Sequence, residues 1–102
     1  MLEKDTPKYK LEKVRKLLSE GNYNITDTAI ESAFDDFELE EYEIMKEVET
    51  LKENNFYKSM KSQQQSGWQD VYRKLVKGVE AYIKITIYEG KLLIVISFKR
   101  RF

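Results

Sequence analysis

This chain of 102 residues has no cysteine and no histidine. Without cysteine there is no disulfide, no thiolate nucleophile and no zinc–thiolate site. Without histidine, proton transfer near neutral pH has to come from lysine, tyrosine, aspartate or glutamate with a displaced pKa. No apolar run approaches the roughly 18 residues of a membrane span. The opening Met1-Leu-Glu-Lys-Asp5 is too charged for a signal peptide. The expectation is a cytoplasmic protein without a membrane role, one domain over residues 1–102. Its 41% hydrophobic content is enough for a core of its own.

Acidic and basic residues balance at 18 each, but not evenly along the chain. Residues 1–55 hold 8 Lys/Arg against 15 Asp/Glu, whereas residues 56–102 hold 10 against 3. One half is anionic and the other cationic, the distribution expected if one face meets a polyanion and the other does not.

Proline occurs once and glycine four times. Thr6-Pro7 reads as a helix cap followed by the first helical position, opening a helix over 8–20 with Leu11, Val14, Leu17 and Leu18 on one side and Gly21 past its end. Tyr23–Ile25 reads as a short edge strand. Thr26 then caps a second helix whose Ile30, Ala33, Phe34 and Phe37 follow the i, i+3, i+4, i+7 rule. A third helix, from about Glu40 to Lys52, buries Ile44, Met45, Val48 and Leu51. Its Glu40, Glu41, Glu43, Glu47, Glu49 and Glu53 form a solvated row, because nothing turns these carboxylates inward around one cation. Phe56–Lys61 reads as a strand, Ser62–Gly67 as a polar loop, and Trp68–Lys77 as extended chain joined through Gly78 to the C-terminal quarter. Helices first and then a sheet predict an α+β fold, with the N-terminal helices on one face of a mostly antiparallel C-terminal sheet.

The last quarter carries the strongest pattern. Two β-rich runs, Ala81–Tyr88 and Lys91–Lys99, flank Glu89-Gly90, which predicts a hairpin with a two-residue turn. In that register Tyr88 faces Lys91 and Tyr82 faces Ser97. Ile83, Ile85 and Ile87 share the apolar side with Leu92, Ile94, Ile96 and Phe98, and Lys99 lies diagonally across from Tyr82. The other side carries Tyr82, Lys84, Thr86 and Tyr88. Together with Tyr57-Lys58 and Gln69…Tyr72-Arg73, it interleaves aromatic rings with cations, a combination suited to single-stranded RNA. An ordinary solvent-facing strand surface is the plainer alternative. Parity places Lys58 with Phe56 and Met60, away from this polar set, unless a bulge re-aims it.

Phe56-Tyr-Lys-Ser-Met60, Trp68-Gln-Asp-Val-Tyr-Arg73, Tyr82-Ile-Lys-Ile-Thr86 and Ile94-Val95…Ser97-Phe98-Lys99 resemble, in that order, the MqsR-type toxins. These are the motility quorum-sensing-regulator branch of the RelE-like mRNA interferases. The N-terminal Glu3-Lys4…Thr6-Pro7 and the helix after it match as well, while the proline expected shortly after Arg73 is missing. The resemblance implies a RelE-like fold and a toxin that cuts mRNA without the ribosome at G-C-U-like sites. It also implies a cognate antitoxin with a zinc-binding docking half and a helix-turn-helix half. The family's functional positions fall on Lys58, Gln69, Tyr82 and Lys99.

From these residues we expect a metal-free, cofactor-free reaction in which the RNA 2′-OH attacks the adjacent phosphorus. Lys58 and Tyr82 share the proton transfers, their pKa values lowered by crowded cations. Lys99 and Arg73 stabilise the phosphorane, Gln69 orients a phosphate or base edge, and Tyr57 and Tyr88 stack flanking bases beside Lys84. The free protein is expected to be a monomer. A non-catalytic RNA-binding module and a protein-interaction domain built on the acidic helices are the rival readings.

Overall fold

The computed structural model describes residues 2–61 and 67–102. Strand β1 (Leu2–Lys4) precedes helix α1 (Leu11–Ser19), strand β2 (Tyr23–Ile25), helix α2 (Asp27–Phe37) and helix α3 (Glu41–Glu49). A 3₁₀ turn at Glu53–Asn55 leads into β3 (Phe56–Lys61), β4 (Gln69–Val76), β5 (Val79–Tyr88) and β6 (Leu92–Arg100). The strands form one sheet in the order β1-β3-β4-β5-β6-β2. All neighbours are antiparallel except β2, which runs parallel to β6 at the far edge. The α+β arrangement is as expected. The loop reading for Ser62–Gly67 falls almost wholly outside the described residues.

One face of the sheet carries the core. Tyr72, Ala81, Ile83, Ile85, Ile87, Leu93, Val95 and Phe98 meet Val14, Leu17 and Leu18 of α1, Ala29, Ala33 and Phe37 of α2, and Ile44 and Val48 of α3. Phe37 and Phe98 pack edge to face at 5.7 Å. The second helix departs from its expected stripe. Its buried line is Ala29, Ala33 and Phe37, and Phe34 is 53% exposed. Consecutive helical residues lie about 100° apart, so a stripe through Ala33 and Phe37 turns Phe34 away from the sheet. On α3 Ile44 and Val48 are buried and Met45 only partly so, and the Glu row is not uniformly solvated, since Glu47 pairs with Lys74 of β4 at 2.8 Å.

The N-terminal segment is the larger correction. Thr6 does not cap α1. That helix begins at Leu11 with Lys10 as its cap residue. The backbone N–H groups of Lys8 and Tyr9 instead donate to the Asp70 carboxylate at 3.0 and 2.9 Å, and the Ser59 hydroxyl donates to it at 2.6 Å. Asp70 is fully buried on β4, and its three donors tie the chain entering α1 to the middle of the sheet. No local rule shows a contact across 61 residues. The end of α1 follows the expected pattern: Gly21, at φ +76°, closes a Schellman turn in which Asn22 N–H reaches Leu17 O and Gly21 N–H reaches Leu18 O.

Removing a buried charged acceptor strands its donors, at about 3 kcal/mol or more. Asp70→Ala is therefore expected to lower the urea midpoint with an unchanged m-value, and Asp70→Asn, which keeps one carbonyl acceptor, to lower it less. A variant as stable as the parent chain would contradict this account of the N-terminal anchor.

Candidate functional site

The face of the sheet turned away from the helices is built in rows. Where β4, β5 and β6 lie side by side, Val71 stands opposite Lys84 and Lys84 opposite Ser97. In the next row Arg73 stands opposite Tyr82 and Tyr82 opposite Lys99. Lys58 of β3 joins the first of these rows opposite Val71.

Two irregularities bring Lys58 and Lys99 there. In β3 the pairing passes from Phe56↔Tyr72 to Lys58↔Val71, so Tyr57 is an extra residue. This bulge leaves Phe56 against the core, edge to face with Tyr72 at 5.6 Å, yet turns Lys58 outward. In β6 the pairing passes from Ile85↔Val95 to Lys84↔Ser97, which makes Ile96 the extra residue. The turn contributes a further shift. Glu89 and Gly90 both have positive φ and Lys91 N–H bonds Tyr88 O at 2.9 Å, but the ladder partner of Tyr88 is Leu92. The expected register is thus displaced by one residue near the turn. Leu93 and Val95 enter the core in place of Leu92, Ile94 and Ile96, which are only partly buried. Beyond Ile96 the parity is restored, so Phe98 is in the core and Lys99 sits directly across from Tyr82. The carbonyl of Ile96 accepts from the Thr26 hydroxyl at 2.9 Å, and the same hydroxyl caps α2 by accepting from Ala29 N–H at 3.1 Å.

Around these rows the cations and phenols gather. The Arg73 guanidinium lies 4.2 Å from the centre of the Tyr57 ring, and that ring lies 6.4 Å from Tyr82 in an edge arrangement. Lys99 Nζ is 6.0 Å from the Tyr82 ring. Lys58 Nζ is 5.4 Å from the Tyr57 ring and bonds the Glu3 carboxylate of β1 at 2.6 Å. Gln69 is buried on the same face of β4 as Val71 and Arg73, opposite Met60. Tyr88 stands apart. It is 55% exposed at the hairpin end, six residues along β5 from Tyr82 and hence roughly 20 Å away.

The lysines differ in character. Lys58 is held above the ordinary lysine value, first by its hydrogen bond to Glu3, with partial burial opposing and the charges of Glu3, Tyr82 and Tyr57 adding to the rise. This reverses the expectation that crowding lowers it. Lys84 is pushed below the ordinary value, first by burial and then by the positive charges of Lys99 and Lys58. Sequence reasoning did not single out Glu3, Asp70, Glu80 or Arg101 as parts of a site. Among the described residues no group of three or more acidic side chains is placed to hold a metal ion.

Fold and site together define an α+β protein whose helices cover one side of a sheet and leave a cationic, phenol-bearing side open. Residues 6–100 match the family described as "Motility quorum-sensing regulator, toxin of MqsA". The mRNA interferase toxin MqsR of Escherichia coli (strain K12) is 37% identical over 102 residues, covering 98% of this chain and all of that relative. The chain belongs to the MqsR toxin family.

Because Thr26 serves both the α2 cap and the β6 bulge, Thr26→Ala is expected to cost about 2 kcal/mol in urea unfolding, whereas Thr26→Ser, which keeps the hydroxyl, costs under about half of that. Equal losses for the two variants would assign the effect to the methyl group instead.

Proposed function

We propose that the chain is a toxin endoribonuclease that cleaves single-stranded mRNA at the Lys58–Lys84–Tyr82–Lys99 face, by attack of the RNA's own 2′-OH. The family membership and the naming of its relative as an mRNA interferase support the reaction class. One observation carries the mechanism. Two lysines of opposite character, Lys58 held protonated by Glu3 and Lys84 with its charge disfavoured, share one row, next to a row holding Tyr82 and Lys99.

The 2′-oxygen bonds to the adjacent phosphorus as the bond from phosphorus to the 5′-oxygen breaks. Lys84, in its deprotonated form, takes the 2′-hydroxyl proton, and the Lys58 ammonium gives a proton to the departing 5′-oxygen. The products are a 2′,3′-cyclic phosphate and a free 5′-hydroxyl. Lys99 and Arg73 balance the charge that accumulates on the non-bridging oxygens in the transition state. The Tyr82 phenol, set between them, hydrogen-bonds the phosphoryl group and fixes its angle of attack. Gln69 offers donor and acceptor groups to a phosphate or base edge upstream along β4. No step calls on a metal. We assign Lys84, rather than Tyr82, as partner to Lys58 in proton transfer, because burial and then the neighbouring Lys99 and Lys58 charges lower its pKa below the ordinary lysine value. We take the cleaved sequence to be G-C-U-like, the setting to be the cytoplasm, the free protein to be a monomeric single domain, and the partner to be an antitoxin with zinc-binding and helix-turn-helix halves.

A synthetic RNA incubated with the protein in chelator, followed by end mapping, tests this reading. Cleavage giving cyclic-phosphate ends is expected, with Lys84→Ala and Lys58→Ala each losing about 10²–10⁴-fold in kcat. The pH profile has a definite sign. Activity should rise with pH as Lys84 loses its proton and fall again as Lys58 loses its own, and Glu3→Gln should move the descending limb to lower pH. Full activity in Lys84→Ala, or an unmoved descending limb in Glu3→Gln, would overturn these assignments.

A further inference from the structure

The outward rows do not stop at Lys99. Opposite Leu75 of β4 stands Glu80 of β5, and beyond it the backbone N–H of Arg101 donates to Glu80 O at 3.0 Å, prolonging the β5–β6 ladder by one residue. This row, Leu75–Glu80–Arg101, lies two residues and so roughly 7 Å past the row of Tyr82 and Lys99. Arg101 Nη1 lies 3.0 Å from Glu80 Oε1, and Arg73 Nε lies 3.4 Å from the same oxygen. Both guanidiniums are drawn toward Tyr57: Arg73 at 4.2 Å and Arg101 at 5.8 Å from the ring centre. Tyr57 is nevertheless 40% exposed, and Leu75, opposite Glu80 on the same face, is 70% exposed.

Each part of this cluster has a chemical counterpart in a nucleotide. A phenol with guanidiniums packed against it presents a flat, polarised surface on which a base stacks. An arginine whose guanidinium is already oriented by a carboxylate meets a phosphate with little rotamer entropy left to lose. Were Glu80 only a neutralising charge, one arginine would suffice for it; instead a single oxygen ties two arginines beside one ring.

We propose that Tyr57 and Arg101, bridged by Arg73 and with both arginines held by Glu80, form a nucleotide subsite that reaches one row beyond the reacting phosphate, with the base stacked on Tyr57 and its phosphodiester on Arg101. Arg101 is a binding residue in this assignment and Glu80 a positioning residue. The subsite rests on the reading of this face as an RNA-cleaving site.

The test is steady-state cleavage of a synthetic single-stranded RNA by the full chain, paired with binding of the same RNA carrying a 2′-O-methyl group at the scissile nucleotide. Arg101→Ala should raise KM and weaken binding about tenfold, with the loss falling on KM rather than kcat. Its log–log salt dependence should be shallower by about 0.7, one phosphate contact on a single strand. Arg101→Lys should restore the salt slope but not the affinity, because an ammonium replaces the charge and not the plane. Glu80→Gln removes a negative charge from the RNA's path, yet it should raise KM as well, since the arginines lose their tether. A lowered KM in Glu80→Gln would overturn the positioning role, and an Arg101→Ala variant with parental KM and salt slope would overturn the subsite while leaving the nuclease reading standing. Parent protein that neither binds nor cleaves the RNA would overturn that reading and the subsite with it.

Discussion

Side chains along a β-strand alternate between two faces, and a residue changes face only where the strand gains or loses a position. In this protein that constraint governs the site. Strand β3 must deliver Phe56 to the core and Lys58 to the open face, although the two are separated by an even step. Strand β6 must deliver Val95 and Phe98 to the core and Lys99 outward, although Val95 and Phe98 are an odd step apart. One added residue in each strand, Tyr57 and Ile96, reconciles both demands. Burial drives the arrangement: seating Phe98 against Phe37 is worth roughly 2 kcal/mol of apolar transfer, enough to hold a bulge whose freed carbonyl finds the Thr26 hydroxyl. The cationic cluster thus arises from packing on the opposite side of the sheet.

The sparse acids of the cationic half are correspondingly informative. Of the three carboxylates after residue 55, Asp70 anchors the N-terminal segment and Glu80 binds two arginines. A further acid, Glu3, comes from the anionic half through β1 and pairs with Lys58 at 2.6 Å, which raises the pKa of that lysine. Lysines set near one another and facing different surroundings can act as acid and base without histidine. Lys58 is paired with a carboxylate at the surface, and Lys84 is half-buried between two other lysines. The dense helix-borne acids lie on the layer across the core from this face.

Much of this was readable from the residues. The alternation of Ile83, Ile85 and Ile87 against Tyr82, Lys84 and Thr86 fixed the two faces of β5, Thr26 and Gly21 marked helix ends, and Phe56–Lys61 was legible as a strand. The register of β6 was not, for a physical reason: Leu92-Leu-Ile-Val-Ile96 is apolar at both parities, so hydrophobic pattern does not choose between them. The turn dipeptide Glu89-Gly90 suits the left-handed conformation it adopts but does not reveal where the ladder resumes. Parity did flag Lys58 as conflicting with a plain strand, and a bulge was the remedy that the structure adopts. The pKa of Lys58 was misjudged because its decisive neighbour, Glu3, lies 55 residues away on a strand too short to show a period. Phe34 misled by hydrophobicity alone.

Whether an added residue at Ile96 places Lys99 beside Tyr82 can be tested in a chain that contributes no thiol of its own. Cysteine pairs placed past the bulge, at Tyr82/Lys99 and at Tyr82/Phe98, report the two competing registers, since only directly opposed strand positions approach within disulfide reach. Mild oxidation should close the Tyr82→Cys/Lys99→Cys pair and leave Tyr82→Cys/Phe98→Cys reduced. The reverse outcome would mean an unbulged β6, with Phe98 turned to solvent and Lys99 to the core, and would contradict the site described here.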